Sequence, residues 1–264
     1  ASGNFNWQQE RTVVLVFDLV PGDYGAATKR GPGATFRGIG SVPGTILSQW
    51  SMDEGEDGSL RIATHTNQLS MSVRRWVRNG VNNVFVVNAT ATTGAALSAA
   101  GARVLPTVGA LTGLAPGETI KASRFIGDRL YLVTFVRVDP LFVIDLSNAS
   151  QPIVLGELKI PGFSEYLHPV NATHLIGVGH DTDLIHGRTV TTGVKLSLFD
   201  VGDVSQPREA YFTVVGGRGS TSEVLDDHKA FLFDAQRQLV TLPLTYYTDM
   251  FPSYGSRTFM GALV

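Results

Sequence analysis

The sequence predicts an all-β protein, a β-propeller built of four-stranded antiparallel blades. Three observations carry this. Apolar and β-branched runs of five to seven residues recur, divided by Gly, Pro, Asn and Ser turns about every ten residues, which is the pattern of an antiparallel meander. A strand ending in Asp also recurs: VVLVFDL at Val13–Leu19, LFVIDL at Leu141–Leu146 and KLSLFDV at Lys195–Val201, with NVFVVN at Asn83–Asn88 placing Asn at the Asp position. A Ser-initiated stretch recurs out of phase with it, beginning at Ser48, Ser123, Ser164 and Ser222. A repeat of about 40–50 residues carrying four strands is the blade signature of a propeller; here Asp145 and Asp200 lie 55 residues apart. A β-sandwich is the competing architecture, but it needs no recurring strand order.

Taken in order, Thr12–Leu19 reads as a strand and Val20–Gly33 as a loop. Thr35–Val42 and Thr45–Met52 read as strands, Asp53–Gly58 (DEGEDG) as an acidic turn, and Leu60–His65 as a strand. Thr66–Val81 reads as an exposed hairpin or loop. Its Arg74, Arg75, Trp76 and Arg78 have the chemistry to grip an anion by forked hydrogen bonds and stacking, although a solvated loop is the plainer reading. Ala89–Ala102 is an Ala-, Thr- and Gly-rich insertion. Val104–Leu111 is a strand, and Pro116-Gly117 marks a type II turn with Gly117 at positive φ. Pro140–Asp181 contains four successive strands, and Leu239–Thr245 and Phe259–Val264 are the last. The repeat units are framed as 12–66, 82–136, 140–180, 193–246 and a partial unit 258–264. About four blades and part of another do not obviously close a ring, so the expectation is one segment of a larger ring of seven or eight blades, within the range propellers use, with a closed four-bladed ring as the alternative.

Composition narrows the function. Of the 264 residues 43% are hydrophobic and 17% charged, enough apolar content for a full core. The net charge of -2 offers no basic field for nucleic acid. No apolar run reaches the roughly 18 residues that would span a bilayer. The absence of cysteine removes disulfides, thiolate zinc sites and cysteine nucleophiles. Three Asn-x-Ser/Thr sequons, at Asn88, Asn148 and Asn171, fall in or beside turns, where Asn and Ser are common in any case.

The segments GLAPGE (Gly113–Glu118), VDPLFVIDLS (Val138–Ser147), LGELKIPGFSEYLHP (Leu155–Pro169), KLSLFDV (Lys195–Val201) and DHKAFLFD (Asp227–Asp234) resemble, in order, the secreted β-propeller domain family distantly related to tryptophan-aspartate repeats. The resemblance runs from about Thr35 to Pro243 and corresponds to the C-terminal half of that domain. The insertion Ala89–Ala102 departs from the family's compact connection. The resemblance implies a secreted, periplasmic or cell-surface protein, and it transfers no catalytic residue.

Searching for chemistry gives little. Gly-x-Ser-x-Gly, His-Glu-x-x-His and the Walker loop are all absent from the sequence. Glu165, His168, Glu223 and His228 fall at roughly matching points of adjacent units and are the candidate binding residues at a propeller mouth. Asp181 and Asp183, with His186 nearby, are the candidate metal ligands, suited to Ca²⁺ or, through imidazole, a transition metal. An Asx turn is the plainer reading of that pair. The favoured function is a non-catalytic interaction or scaffold module whose partner is a protein or the remainder of the propeller. The alternative is a metal-dependent, hydrolase-like enzyme.

Overall fold

The computed structural model describes residues 10–20, 33–72, 75–90, 103–136, 139–185, 187–248 and 257–264. In chain order the elements are β1 (Arg11–Val20), β2 (Gly33–Pro43), the short 3-10 helix η1 (Gln49–Ser51), β3 (Met52–Glu54), β4 (Ser59–Ser72), β5 (Arg75–Asn88) and β6 (Thr107–Leu114). Then come β7 (Thr119–Ile126), β8 (Arg129–Phe135), β9 (Asp139–Asp145), β10 (Ile153–Ile160), β11 (Phe163–Pro169), β12 (His174–Ile185), β13 (Arg188–Asp200) and β14 (Arg208–Val215). The 3-10 helices η2 (Glu223–Leu225) and η3 (His228–Ala230), with β15 (Leu232–Asp234), β16 (Leu239–Tyr247) and β17 (Arg257–Leu263), complete the set.

The strands form three four-stranded sheets, β3–β6, β7–β10 and β11–β14, each in sequence order, with a three-stranded sheet β15–β17 and a two-stranded sheet β1–β2. All neighbours within them are antiparallel. Four-stranded meanders repeated along a chain are propeller blades. The Asp-ended strand is the third of each blade, so a unit framed upon it, such as 82–136, gathers β5, β6, β7 and β8 and takes half of each of two sheets.

The terminal Asp is explained by the turn that follows. Asp145 Oδ1 accepts the backbone N–H of Ser147 at 3.0 Å, Asp200 Oδ1 that of Gly202 at 3.0 Å, and Asn88 Oδ1 that of Thr90 at 3.0 Å. Each is an Asx turn that stops the third strand and satisfies a donor the ladder leaves free. Gly117 has φ 86°, as the Pro-Gly turn requires.

The structure corrects the sequence reading at two places. Thr45–Met52 is not a strand. Ser48 Oγ accepts Trp50 N–H at 3.2 Å, and Ser51 Oγ accepts the Ser48 N–H at 3.4 Å, which turns the chain into η1. Local side-chain hydrogen bonds here outcompete the ladder. The stretch left between the units framed as 140–180 and 193–246 is the far end of one continuous β12–β13 hairpin, paired to Ile185↔Arg188. The hairpin expected over Thr66–Val81 is the distal part of β4 and β5, paired to Ser72↔Arg75. Arg74 and residues 91–102 of the Ala-rich insertion lie outside the described residues.

The chain forms two compact units, residues 1–116 with 148–152, and residues 117–147 with 153–264. The core of the first joins Val42, Ile62, Phe85, Val87, Ala89 and Leu105. That of the second joins Tyr131, Val133, Leu141, Val143, Leu167, Leu175 and Phe199 from the second and third four-stranded sheets. The apolar positions of the Asp-ended β9 and β13 thus pack between sheets, each fully buried branched side chain contributing about 1.5–3 kcal/mol.

Candidate functional site

Glu165 and His168 lie on β11, the first strand of its sheet. Glu165 is the extra residue of a β-bulge, where the pairing with β12 shifts between Ser164 and Tyr166. Bulges re-aim a side chain, and here the carboxylate reaches a histidine and a lysine. Glu165 Oε2 is 3.1 Å from His180 Nδ1, and Oε1 is 3.9 Å from Lys121 Nζ. Lys121 sits at the matching bulge of β7, between Ile120 and Ala122. Its ammonium lies 4.8 Å from the centroid of the Phe163 ring, which also faces His180 at 5.7 Å. This is a three-member polar group backed by an aromatic ring.

His168 belongs to a different environment. Its Nδ1 is 3.1 Å from the Tyr166 hydroxyl. Its ring contacts Phe231 at 4.8 Å and Phe233 at 5.3 Å between centroids. Tyr166 in turn meets Phe231 at 5.3 Å and His228 at 6.4 Å. Burial among these rings, and then the charge of Arg124, hold the His168 imidazole below its ordinary proton affinity. Burial likewise raises the Tyr166 phenol, with Arg124 opposing. The pair is therefore a neutral polar contact inside an aromatic cluster.

Of the two remaining candidates, His228 is the first residue of η3 and stacks on Tyr166, 3.9 Å from Asp227. Glu223 opens η2, whose Ser222 cap accepts the Val224 N–H at 3.3 Å. Together with Thr221, Asp226, Thr245 and Met260, Glu223 lines an open groove of about 280 Å³. The structure thus brings His168 and His228 to one aromatic cluster, engages Glu165 with His180 and Lys121, and puts Glu223 on a groove beside β16 and β17.

Asp181 and Asp183 lie on β12 rather than in a turn. Asp181 is the bulged residue between His180 and Thr182, and its Oδ2 accepts the Thr192 hydroxyl at 3.0 Å. Asp183 Oδ1 accepts the backbone N–H of Leu184 at 2.7 Å. His186 lies outside the described residues. Among the described residues no three His, Asp or Glu side chains gather closely enough to hold a metal ion.

Two groups escaped the sequence reading. Lys121 and His180 complete the Glu165 group, and a bulge leaves no trace in residue type that would have revealed them. Lys195, almost wholly buried, pairs with Glu209 at 3.0 Å, donates to the Pro161 carbonyl at 2.8 Å and lies over the Phe212 ring at 4.5 Å. A Lys inside the apolar run Val194–Phe199 was the available signal, since a charge there needs a partner.

Consecutive four-stranded meanders with Asx-closed third strands define the protein as a β-propeller. More particularly, the chain belongs to the family described as the Beta propeller domain, which matches residues 4–264. Two similar proteins are archaeal. An uncharacterised protein of Methanocaldococcus jannaschii is 37% identical over 214 residues, covering 80% of this chain and 29% of that protein. An uncharacterised protein of Archaeoglobus fulgidus is 37% identical over 206 residues, covering 78% of this chain and 27% of its own length. The chain therefore spans less than a third of the curated relatives it matches.

Proposed function

We propose that this chain is a non-catalytic interaction or scaffold module, part of a larger propeller on an exported or cell-surface protein. The observation that carries this reading is how the candidate polar groups are used. Glu165 is held by His180 and Lys121, and His168 is packed against Phe231 and Phe233 with its proton affinity lowered. A general base needs an open approach to the proton it abstracts, and both groups are already engaged by these neighbours. Large apolar strand surfaces stay exposed instead: Leu19 is 82% exposed, Tyr211 66% and Met260 69%. Exposed apolar patches of this kind mark association surfaces. Among the described residues no helix is long and apolar enough to cross a membrane. The partner is a protein or the rest of the propeller.

The rival reading is a metal-dependent, hydrolase-like site using Glu165, His168, Glu223 and His228. Elemental analysis of the purified protein decides between them. The scaffold reading expects no stoichiometric transition metal, and one equivalent of zinc, manganese or iron overturns it. Calcium alone, lost on Asp181→Asn, would indicate a structural ion on the β12–β13 hairpin.

A further inference from the structure

Within the first compact unit lies an open groove of about 350 Å³, lined by Asp57, Ser59, Asn88, Thr90, Asn148 and Ser150. These six residues form three copies of one local arrangement. Asp57 Oδ1 accepts the Ser59 N–H at 2.9 Å and its hydroxyl at 2.6 Å. Asn88 Oδ1 accepts the Thr90 N–H and hydroxyl, both at 3.0 Å, and Asn148 Oδ1 accepts those of Ser150 at 3.1 and 2.8 Å. Each turn commits its one hydroxyl hydrogen, so each Oγ has only lone pairs left for a ligand. The Nδ2 groups of Asn88 and Asn148 make no hydrogen bond within the described residues, and each is a double donor. Asp57 Oδ2 adds one more acceptor. Donors and acceptors therefore alternate around the groove with their directions already fixed.

The second compact unit carries different residues at the matching positions. Ser59 stands opposite Asn88 in the β4–β5 pairing, as Arg129 stands opposite Asp145 in β8–β9. Asn148 and Asp203 open the two copies of the turn that docks on Gly109 and on Gly156. Arg, Asp and Asp in the second unit are thus Ser, Asn and Asn in the first. The turns close either way: Asp145 Oδ2 accepts the Ser147 hydroxyl at 2.9 Å and Asp203 Oδ1 that of Ser205 at 2.7 Å. Folding does not require the amides; what they supply is neutral donors facing the groove. One carboxylate is too few for a hard cation, and no Lys or Arg lines the groove to receive an anion.

We propose that this groove binds a neutral saccharide. Pyranose hydroxyls would accept from the two amides while donating to Asp57 Oδ2 and to the Ser and Thr oxygens. A hydroxyl that donates and accepts at once is matched by such an alternation, and each bond polarises the next. Val108, the extra residue of the β6 bulge and 39% exposed, gives the groove an apolar patch for the C–H face of the ring. The volume lies at the small end of the range of about 300–1,000 Å³ that ligand pockets occupy. The inference goes beyond the scaffold reading and does not depend on it.

The test is a titration of the full chain with the methyl glycosides of glucose, galactose, mannose and N-acetylglucosamine, to about 10 mM. Binding is read by calorimetry and by the side-chain amide signals in ¹H–¹⁵N spectra. At least one glycoside should bind and shift the Asn88 and Asn148 amide signals. Glucuronate, repelled by Asp57, should bind less tightly than the glucoside. The double variant Asn88→Asp, Asn148→Asp copies the second unit, so it should leave the circular dichroism unchanged and weaken binding about tenfold or more. Failure of every glycoside to bind overturns the proposal. So do shifts confined to other residues, tighter binding of glucuronate, or an unchanged affinity in the double variant. The amide shifts of the unaltered protein decide even where the double variant does not fold.

Discussion

The fourth strands β6 and β10 share a backbone with β14 but not a residue. In all three a bulge falls within the first two paired residues, after Thr107 in β6, Val154 in β10 and Glu209 in β14. The next position is Gly109 in β6, Gly156 in β10 and Tyr211 in β14. Neither glycine has positive φ, so backbone conformation does not demand them; space does. A Cβ on Gly109 would lie 2.0 Å from the Ala149 carbonyl oxygen and 3.1 Å from Pro152, and one on Gly156 would lie 2.3 Å from the Val204 carbonyl oxygen and 2.9 Å from Pro207. The docked turns are Asn148-Ala-Ser-Gln-Pro152 and Asp203-Val-Ser-Gln-Pro207, two copies of one motif. Tyr211, at the same register, is 66% exposed. The bulge belongs to the strand, whereas the residue beside it is chosen by what docks there.

The hardest test of this comparison is Gly109→Val. The clashing atom is backbone, which cannot swing aside, and the branched side chain adds volume to a filled site. The expected loss is about 3–5 kcal/mol, read as a large fall in thermal midpoint. A near-neutral result would mean that the turn does not dock in solution. Gly156→Ala is the milder version, with one methyl and a slightly longer approach. About 1–3 kcal/mol is expected, and a loss larger than that of Gly109→Val would invert the ranking of the two contacts.

The two docked turns differ in one atom type, and pH exposes it. Asn148 Oδ1 accepts the Ser150 N–H at 3.1 Å and its hydroxyl at 2.8 Å; Asp203 Oδ1 accepts the Ser205 N–H at 3.0 Å and its hydroxyl at 2.7 Å. Asn148→Ala should cost about 0.5–2 kcal/mol, by analogy with a lost helix cap, equally at pH 7 and pH 3. The Asp203 carboxyl is held below its ordinary pKa of 3.8, first by the Ser205 hydroxyl and then by backbone N–H groups. A depressed acid stabilises the fold above its unfolded pKa and loses that contribution as pH falls through the folded one. The fall in thermal midpoint on Asp203→Ala should therefore be largest at neutral pH and shrink in strong acid toward that of the uncharged Asn148→Ala. A pH-independent difference would show that the carboxylate charge plays no part in the turn.

Much of this was legible in the residues. The Asp-ended strands, the Ser-Gln-Pro turns and the β11 strand at Phe163 are visible because turn chemistry and strand alternation are local. What escaped notice is set by partners distant in sequence. Ser48 and Ser222 read like Ser123 and Ser164, yet the first two cap 3-10 helices while the others are buried inside β7 and β11. The same hydroxyl serves either purpose, and the surrounding sheet decides. Glu165 was identified but its partners Lys121 and His180 were not, because two bulges set the geometry. His168 was singled out as a polar candidate, whereas its immediate surroundings are the rings of Tyr166, Phe231 and Phe233.

The smallest effect is expected at Tyr211→Gly, which gives β14 the residue that β6 and β10 carry. No docking carbonyl crowds Tyr211 within the described residues, so no clash is relieved. The substitution removes a mostly exposed ring and frees the backbone in a strand, which together should cost about 0.5–1 kcal/mol. The fall should not depend on protein concentration. A loss approaching that of Gly109→Val would mean that the ring is covered in solution. If that larger loss appeared only at concentrations where the chain associates, Tyr211 would be part of a docking surface, and the contrast between β14 and its sister strands would be one of partner rather than of presence or absence.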